Sequence, residues 1–253
     1  MNTRHQLILL VIVVVGLNVN TLFNKYAVDD GVVLVENNIV AKGIAGVPEL
    51  FRTDLFSGYK NKEAYAAFSK TRYRPFSLVI FALEHQFFGA NPFVSHLLNV
   101  IFFALLVVLL YKFQQSYVFI GKNKNMSLVA CLLFAVHPIH TEVVANVKSR
   151  DEIIAFILLM ASLLLFLKYH ERRKFMHYIS GLFCFFLALL TRESAITFIG
   201  VVPLVLYFFC NRSIRQSLSF VLPMSTVFFV YWLLRFYVVD SESLAKTNIL
   251  CSP

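Results

Sequence analysis

Long apolar runs alternate with short polar clusters along the whole chain. Runs of bilayer-spanning length, about 17–25 residues, fall at roughly 6–23, 93–112, 126–143, 151–168, 176–191, 195–210 and 217–238. The pattern predicts an all-α membrane protein with about seven transmembrane helices. The first run follows a single Arg4 and has no small-residue cleavage site after it, so it reads as a retained span rather than a signal peptide. An eighth run, Phe76 to Phe88, is short. It carries Glu84, His85 and Gln86, which are costly in hydrocarbon, and begins after Pro75, a residue suited to the first turn of a helix.

Whether 76–88 crosses is decided by the cations. If it does not, one side of the membrane receives Arg4, Lys112, Lys122, Lys124, Lys168, Arg172, Arg173, Lys174, Arg212 and Arg215. The other side receives Lys148, Arg150, Arg192 and Lys246, diluted by Glu142, Asp151, Glu152, Glu193, Asp240 and Glu242. If 76–88 does cross, every later loop inverts and the basic stretch 168–174 faces outward, against the positive-inside bias. We therefore expect seven crossings with the N-terminus cytoplasmic and 76–88 interfacial or re-entrant. Residues 1–238 then form one membrane module. Its first external loop, 24–90, is expected to carry two or three short interfacial helices, including an amphipathic stretch from Pro48 to Phe56 with Leu50, Phe51, Leu55 and Phe56 at helical spacing. Residues 239–253 are expected to be an external tail, the start of a truncated loop.

Composition agrees. The 253 residues are 58% hydrophobic and 15% charged, against about 45–50% and 25% in soluble domains, and a soluble globule of this size could not cover such a core. The formal charge of +9 would suggest nucleic acid in a soluble domain. Here the basic residues cluster at the ends of apolar runs and read as topology signals, so nucleic acid is not an expected partner. Cys131, Cys184, Cys210 and Cys251 have no CxxC or zinc spacing, and no disulfide framework is supported.

The expected topology puts several polar clusters on one external face. Asp29 and Asp30 lie just beyond the first span. Adjacent carboxylates can bind a divalent ion, or one can act as a general base whose proton affinity the other raises; a plain solvated loop start is the alternative. His137, His140 and Glu142 have metal-ligand chemistry, but Pro138 between the histidines spoils helical zinc geometry. Hydrogen bonding to an anionic substrate and capping of the following helix stay open. Lys148 and Arg150 suit phosphate, which Arg grips bidentately, although snorkelling from a helix end explains them as well. Arg192 and Glu193 sit in a turn with almost no loop and either serve a ligand or pair with each other. His96 and Asn99, at i and i+3, share a helix face and either line the bundle interior or bond another helix. His170 and His177 flank the basic loop and look bland.

Six motifs occur in one order: Tyr26, Asp29 and Asp30 with Glu36, Asn37 and Asn38; Tyr73 to Phe76; Asn91 and Pro92 with His96 and Asn99; His137 to Glu142; Ser149 to Asp151; and Arg192 to Thr197. Together they resemble the membrane region of the transmembrane and tetratricopeptide-repeat O-mannosyltransferase-like proteins, over about residues 5–238, in a form nearer to bacterial members. The resemblance implies a GT-C glycosyltransferase fold. It implies transfer of a sugar, with mannose the candidate, from a polyprenyl-phosphate donor to a Ser or Thr hydroxyl of a protein on the external or lumenal face. The catalytic acidic pair maps onto Asp29 and Asp30. Donor or phosphate contacts are expected of Arg74, His137, His140, Glu142, Lys148, Arg150, Asp151, Arg192 and Glu193, with a divalent metal as candidate cofactor and the lipid bilayer as a partner. Relatives often carry Lys where this chain has Arg192, and they continue into further spans and repeats, so the chain is expected to be an N-terminal membrane region. The expected location is a bacterial inner membrane, with the endoplasmic reticulum as the alternative. An inactive scaffold or lipid-phosphate-binding fragment is the non-enzymatic rival.

Overall fold

A computed structural model describes residues 2–61, 72–121, 123, 125–210 and 212–250, with backbone alone at 28 and 240–250. Lys122, Lys124 and Cys251 fall outside it, as do the side chains of Asp240, Glu242 and Lys246. The architecture is all-α. The helices are α1 (Thr3–Asn18), α2 (Pro75–Phe88), α3 (Pro92–Phe113), α4 (Asn125–Ala135), α5 (Ile139–Ala145), α6 (Arg150–Arg172), α7 (Phe175–Thr191), α8 (Phe198–Cys210), α9 (Ile214–Leu218) and α10 (Val221–Leu250). Among the described residues, extended pairing is confined to an antiparallel bridge between Asn37 and Tyr59.

Among the described residues, five helical stretches are long and apolar enough to cross a membrane: Thr3–Phe23, Pro92–Val118, Arg150–Arg172, Glu193–Cys210 and Ile214–Val239. The run expected as one span over 126–143 is instead broken, with α4 and α5 bent by 67°. Pro138 is the physical reason, since it lacks the N–H and its ring clashes with the carbonyl four residues back. Counted as one bent span, the pair makes six. The remaining run, α7, is apolar but only 17 residues long, a rise of about 26 Å.

Helices α1, α3, α4 and α6 run alternately up and down. At one end, Gln6 of α1 donates to Asn125 at the start of α4 (2.9 Å) and accepts from Tyr111 near the end of α3. At the other end, the exit of the first span meets the starts of α3 and α6, through Tyr26 against Ser95 (2.9 Å) and the Lys148 N–H donating to Asp30 (2.8 Å). The apolar face of each helix closes one core, which includes Leu10, Phe103, Leu163, Phe185 and Val202.

A second core lies under the segment between α1 and α3, where Val33, Leu34, Val40, Leu50 and Leu55 pack against Leu78, Phe81 and Ala82 of α2. α2 packs chiefly on the 3-10 turns at Val40–Gly46. Arg74, just before α2, reaches Asp151, and Glu84, ten residues later and about 15 Å along the axis, reaches Arg150. Both targets are adjacent at the start of α6, so α2 lies across that end of α6. The stretch expected as a helix from Pro48 to Phe56 is helical only over Val47–Leu50. Asp54 accepts the Phe56 N–H (2.7 Å), a local bond that competes with helix continuation. Leu50, Leu55 and Phe56 are nevertheless buried. At the other terminus, α10 continues through Leu250, into the region expected as a tail. Neither Pro nor Gly occurs between 224 and 250 to stop it.

The tightest helix pair is α6 against α7. A Cβ at Gly181 would come within 2.6 Å of the Phe166 ring, itself fully buried against Tyr178 and Phe220. The ring has no room to swing. Gly181→Val is therefore expected to lose about 1–3 kcal/mol by overpacking. Gly200→Val, where nothing lies within 4 Å, should melt like the parent in detergent; equal melting of the two variants would refute the close packing.

Candidate functional site

Charged residues that the sequence scatters over 29–193 converge at the end of the bundle where α6 begins. Asp30 is fully buried, and each of its carboxylate oxygens accepts from a backbone N–H, one from Ala27 and one from Lys148 (2.8 Å each). It thus ties the exit of the first span to the entrance of α6. Asp29, its neighbour, has a side chain 56% exposed and pairs with the Lys148 ammonium at 2.7 Å. The two carboxylates have separate tasks. Asp30 is spent on backbone, and Asp29 faces outward with a cation beside it.

One turn along, at the start of α6, Asp151 is shared by two guanidiniums, Arg74 at 2.7 Å and Arg192 at 3.2 Å. Arg74 also grips Glu193 (2.8 Å), and Arg192 also pairs with Glu152 (2.9 Å). Arg192 and Glu193 do not pair with each other; each reaches across to a different element. Burial works against the charge on Arg74, but Glu193 and Asp151 outweigh it and raise its pKa above the ordinary value. Arg192 and Lys148 are the more accessible cations, at 28% and 24% exposure, against 12% for Arg74. Tyr73, beside Arg74, donates to the Phe51 carbonyl (3.0 Å), and burial pushes its phenol up to about 12, keeping it a neutral donor.

Arg150 is turned inward, away from any surface ligand. Its guanidinium is 1% exposed, bonds Glu84, donates to Asn99 Oδ1 (2.6 Å) and to the Ser95 carbonyl (2.8 Å), and stacks over Phe81 with 4.8 Å to the ring centroid. In this structure those bonds and the enclosure leave it no approach for a phosphate. Glu84 accepts from Ser95 as well, and Ser95 meets the Tyr26 hydroxyl. The sequence carried one signal for this group: a carboxyl side chain such as Glu84 within an apolar helix needs a partner. Asn99 donates to the Val144 and Asn146 carbonyls (3.1 Å each), bonding other elements as its helix face implied, while among the described residues neither ring nitrogen of the buried His96 makes a hydrogen bond of normal geometry.

The histidine cluster stands apart. His137 Nδ1 accepts from the Ile139 N–H at the start of α5 (3.2 Å), a capping contact, and the His140 ring packs on Phe134 with centroids 4.2 Å apart. Glu142 is exposed. Among the described residues, no group of three or more His, Cys, Asp or Glu is gathered to hold a metal ion, and the bonding of Asp30 and Asp29 leaves no shared cation cage between them.

Residues 73–237 match the sequence profile described as dolichyl-phosphate-mannose-protein mannosyltransferase. The protein O-mannosyl-transferase TMTC3 of Mus musculus is 28% identical over 222 residues, which is 87% of this chain and 22% of that protein. The protein O-mannosyl-transferase TMTC1 of Homo sapiens is 39% identical over 104 residues, 41% of this chain and 11% of that protein. The protein O-mannosyl-transferase F38B6.6 of Caenorhabditis elegans is 29% identical over 168 residues, 66% of this chain and 24% of that protein. The chain thus spans less than a quarter of the length of each of these relatives. No solved structure matches it.

Proposed function

The chain belongs to the dolichyl-phosphate-mannose-protein mannosyltransferase family, and from that premise we propose that it transfers a sugar, mannose in the first instance, from a polyprenyl-phosphate donor to a protein Ser or Thr hydroxyl. The observation that carries this reading is the exposed Asp29 carboxylate held by Lys148 within a turn of the Asp151–Arg192 pair. In the transfer step the acceptor oxygen bonds the anomeric carbon as the bond to the lipid phosphate breaks, and the hydroxyl proton passes to Asp29 as general base. Lys148 and Arg192, the accessible cations, would hold the departing phosphate. Asp30, Arg74, Glu193 and the Glu84–Arg150 pair act as positioning residues. His137, His140 and Glu142 are assigned no role in transfer. Several apolar helices make the chain a multi-pass membrane protein.

Two experiments test this. The 253-residue chain in proteoliposomes, given polyprenyl-phosphate mannose and a Ser/Thr peptide, should mannosylate the peptide. Binding of the lipid phosphate without turnover would leave the scaffold reading in its place. For sidedness, the native cysteines are replaced and single cysteines introduced at Asn38, Ser194, Asn123 and Lys174. An impermeant thiol reagent should label 38 and 194 from one side of the membrane and 123 and 174 only from the other. Labelling of 38 and 194 from opposite sides would separate Asp29 from Arg192 and end the shared-site reading.

A further inference from the structure

α6 carries the charged network at its first residue and, about 33 Å away at its last turn, a second polar group that transfer chemistry does not use. A cavity of about 580 Å³ opens there, lined by the polar His170, Arg173, Arg212, Arg215 and Gln216 and by the rings of Tyr169, Tyr178 and Phe220. Cations at the end of a bundle are ordinarily orientation signals that trail into solvent. Three features exceed that role.

The first is order. Arg212 Nε donates to His170 Nε2 at 2.6 Å and Nη1 to Gln216 at 3.4 Å, so this guanidinium is aimed by two neutral partners and its charge is left uncompensated. The second is the absence of competitors. Among the described residues neither Arg173 nor Arg215 has a carboxylate within ion-pair distance, and Glu171, the acidic neighbour of His170, forms no ion pair with any of the three arginines. The third is backbone. Arg173 terminates α6 with φ of 53°, in the left-handed region, where glycine is the residue without steric penalty. A helix stop alone does not call for arginine, yet an arginine there lines the cavity.

Three guanidiniums, one of them fixed, present planar donors that fit phosphate oxygens. The lining also holds an aromatic wall: Tyr169 and Tyr178 have ring centroids 5.1 Å apart, and Tyr178 and Phe220 5.7 Å. We propose that this cavity is a binding site for a phosphate ester, with the phosphate held by Arg173, Arg212 and Arg215 and the apolar remainder against the aromatic wall. The ester is an anionic lipid headgroup or a free phosphate compound, and the two are separated by experiment.

The purified 253-residue chain in neutral detergent is titrated with dihexanoyl phosphatidate, inorganic phosphate and dihexanoyl phosphatidylcholine, reading the shift in Tm. Because Arg212 is tied to His170 and its loss would disturb the fold, the test variant is Arg173→Gln with Arg215→Gln, both exposed. A saturable rise with phosphatidate, absent with phosphatidylcholine and weakened about tenfold or more in the double variant, is the expected result, and it identifies a lipid headgroup when inorganic phosphate has no effect. An equal, arginine-dependent rise with inorganic phosphate identifies the free compound. No saturable shift with either phosphate, an equal response to phosphatidylcholine, or an unchanged affinity in a double variant with parental Tm would overturn the site.

Discussion

Glu84→Ala is expected to lower the stability of the chain by about 3–5 kcal/mol, the usual loss when one member of a buried ion pair is removed. Arg150 would keep Asn99 and the Ser95 carbonyl as partners, but its charge would sit uncompensated at 1% exposure against the rings of Phe81 and Phe102. Water cannot reach it, and an arginine does not deprotonate to escape. Glu84→Met combined with Arg150→Met should recover much of the loss, since apolar side chains of similar volume often replace a buried pair at little cost. The measurement is equilibrium unfolding in mixed detergent for the parent, the single and the double variant. A single-variant loss below about 1 kcal/mol, within the range of surface pairs, would mean that Arg150 finds solvent.

The second large effect falls on activity. In the mannosyl-transfer assay Asp29→Asn is expected to reduce turnover by about 100- to 10,000-fold, the range of a positioned general base. Its Tm should change little, because the side chain is 56% exposed and its single partner is a surface lysine. Asp30→Asn should behave differently. An amide cannot accept from both the Ala27 and Lys148 N–H groups with two oxygens, so one buried donor loses its bond and stability falls by about 1–3 kcal/mol. The separation of the two profiles is the test. Wild-type transfer by Asp29→Asn would remove the base assignment, and a stable Asp30→Asn would remove the structural one.

Much of the helical architecture was legible because length and apolarity are local quantities: three of the expected spans, 93–112, 151–168 and 176–191, lie on single helices, three more lie on continuous helical stretches, and 76–88 lies within α2. The break between α4 and α5 was written in Pro138, but its 67° turn depends on what packs around it. Pairing was the opaque part. Arg150 stands at a helix entrance among Lys148 and Asp151, where local charge suggests a phosphate ligand. Its partner Glu84 is 66 positions away, and no period in the sequence connects them. Arg192 and Glu193 likewise look like mutual partners because they are adjacent, yet consecutive side chains diverge and each found an opposite charge on a different element. The structure brings Asp29, Lys148, Asp151 and Arg192 to one end of the bundle, as the expected shared face implied. The sequence was blind to the division between the two aspartates, which only burial reveals.

The ties from α2 to α6 and beyond also impose an order on biogenesis. Arg74 leaves the ribosome 77 residues before Asp151 and 119 before Glu193. At about 5–20 residues per second, the longer interval is about 6–24 s. Until residue 151 is made the early loop holds an arginine with neither carboxylate, from then until residue 193 it has Asp151 alone, and Glu84 waits similarly for Arg150. The first third of the chain therefore cannot mature on its own. Its closure is timed by the insertion of helices made later, and a stall in synthesis between Phe88 and Arg150 leaves the loop for quality control to find.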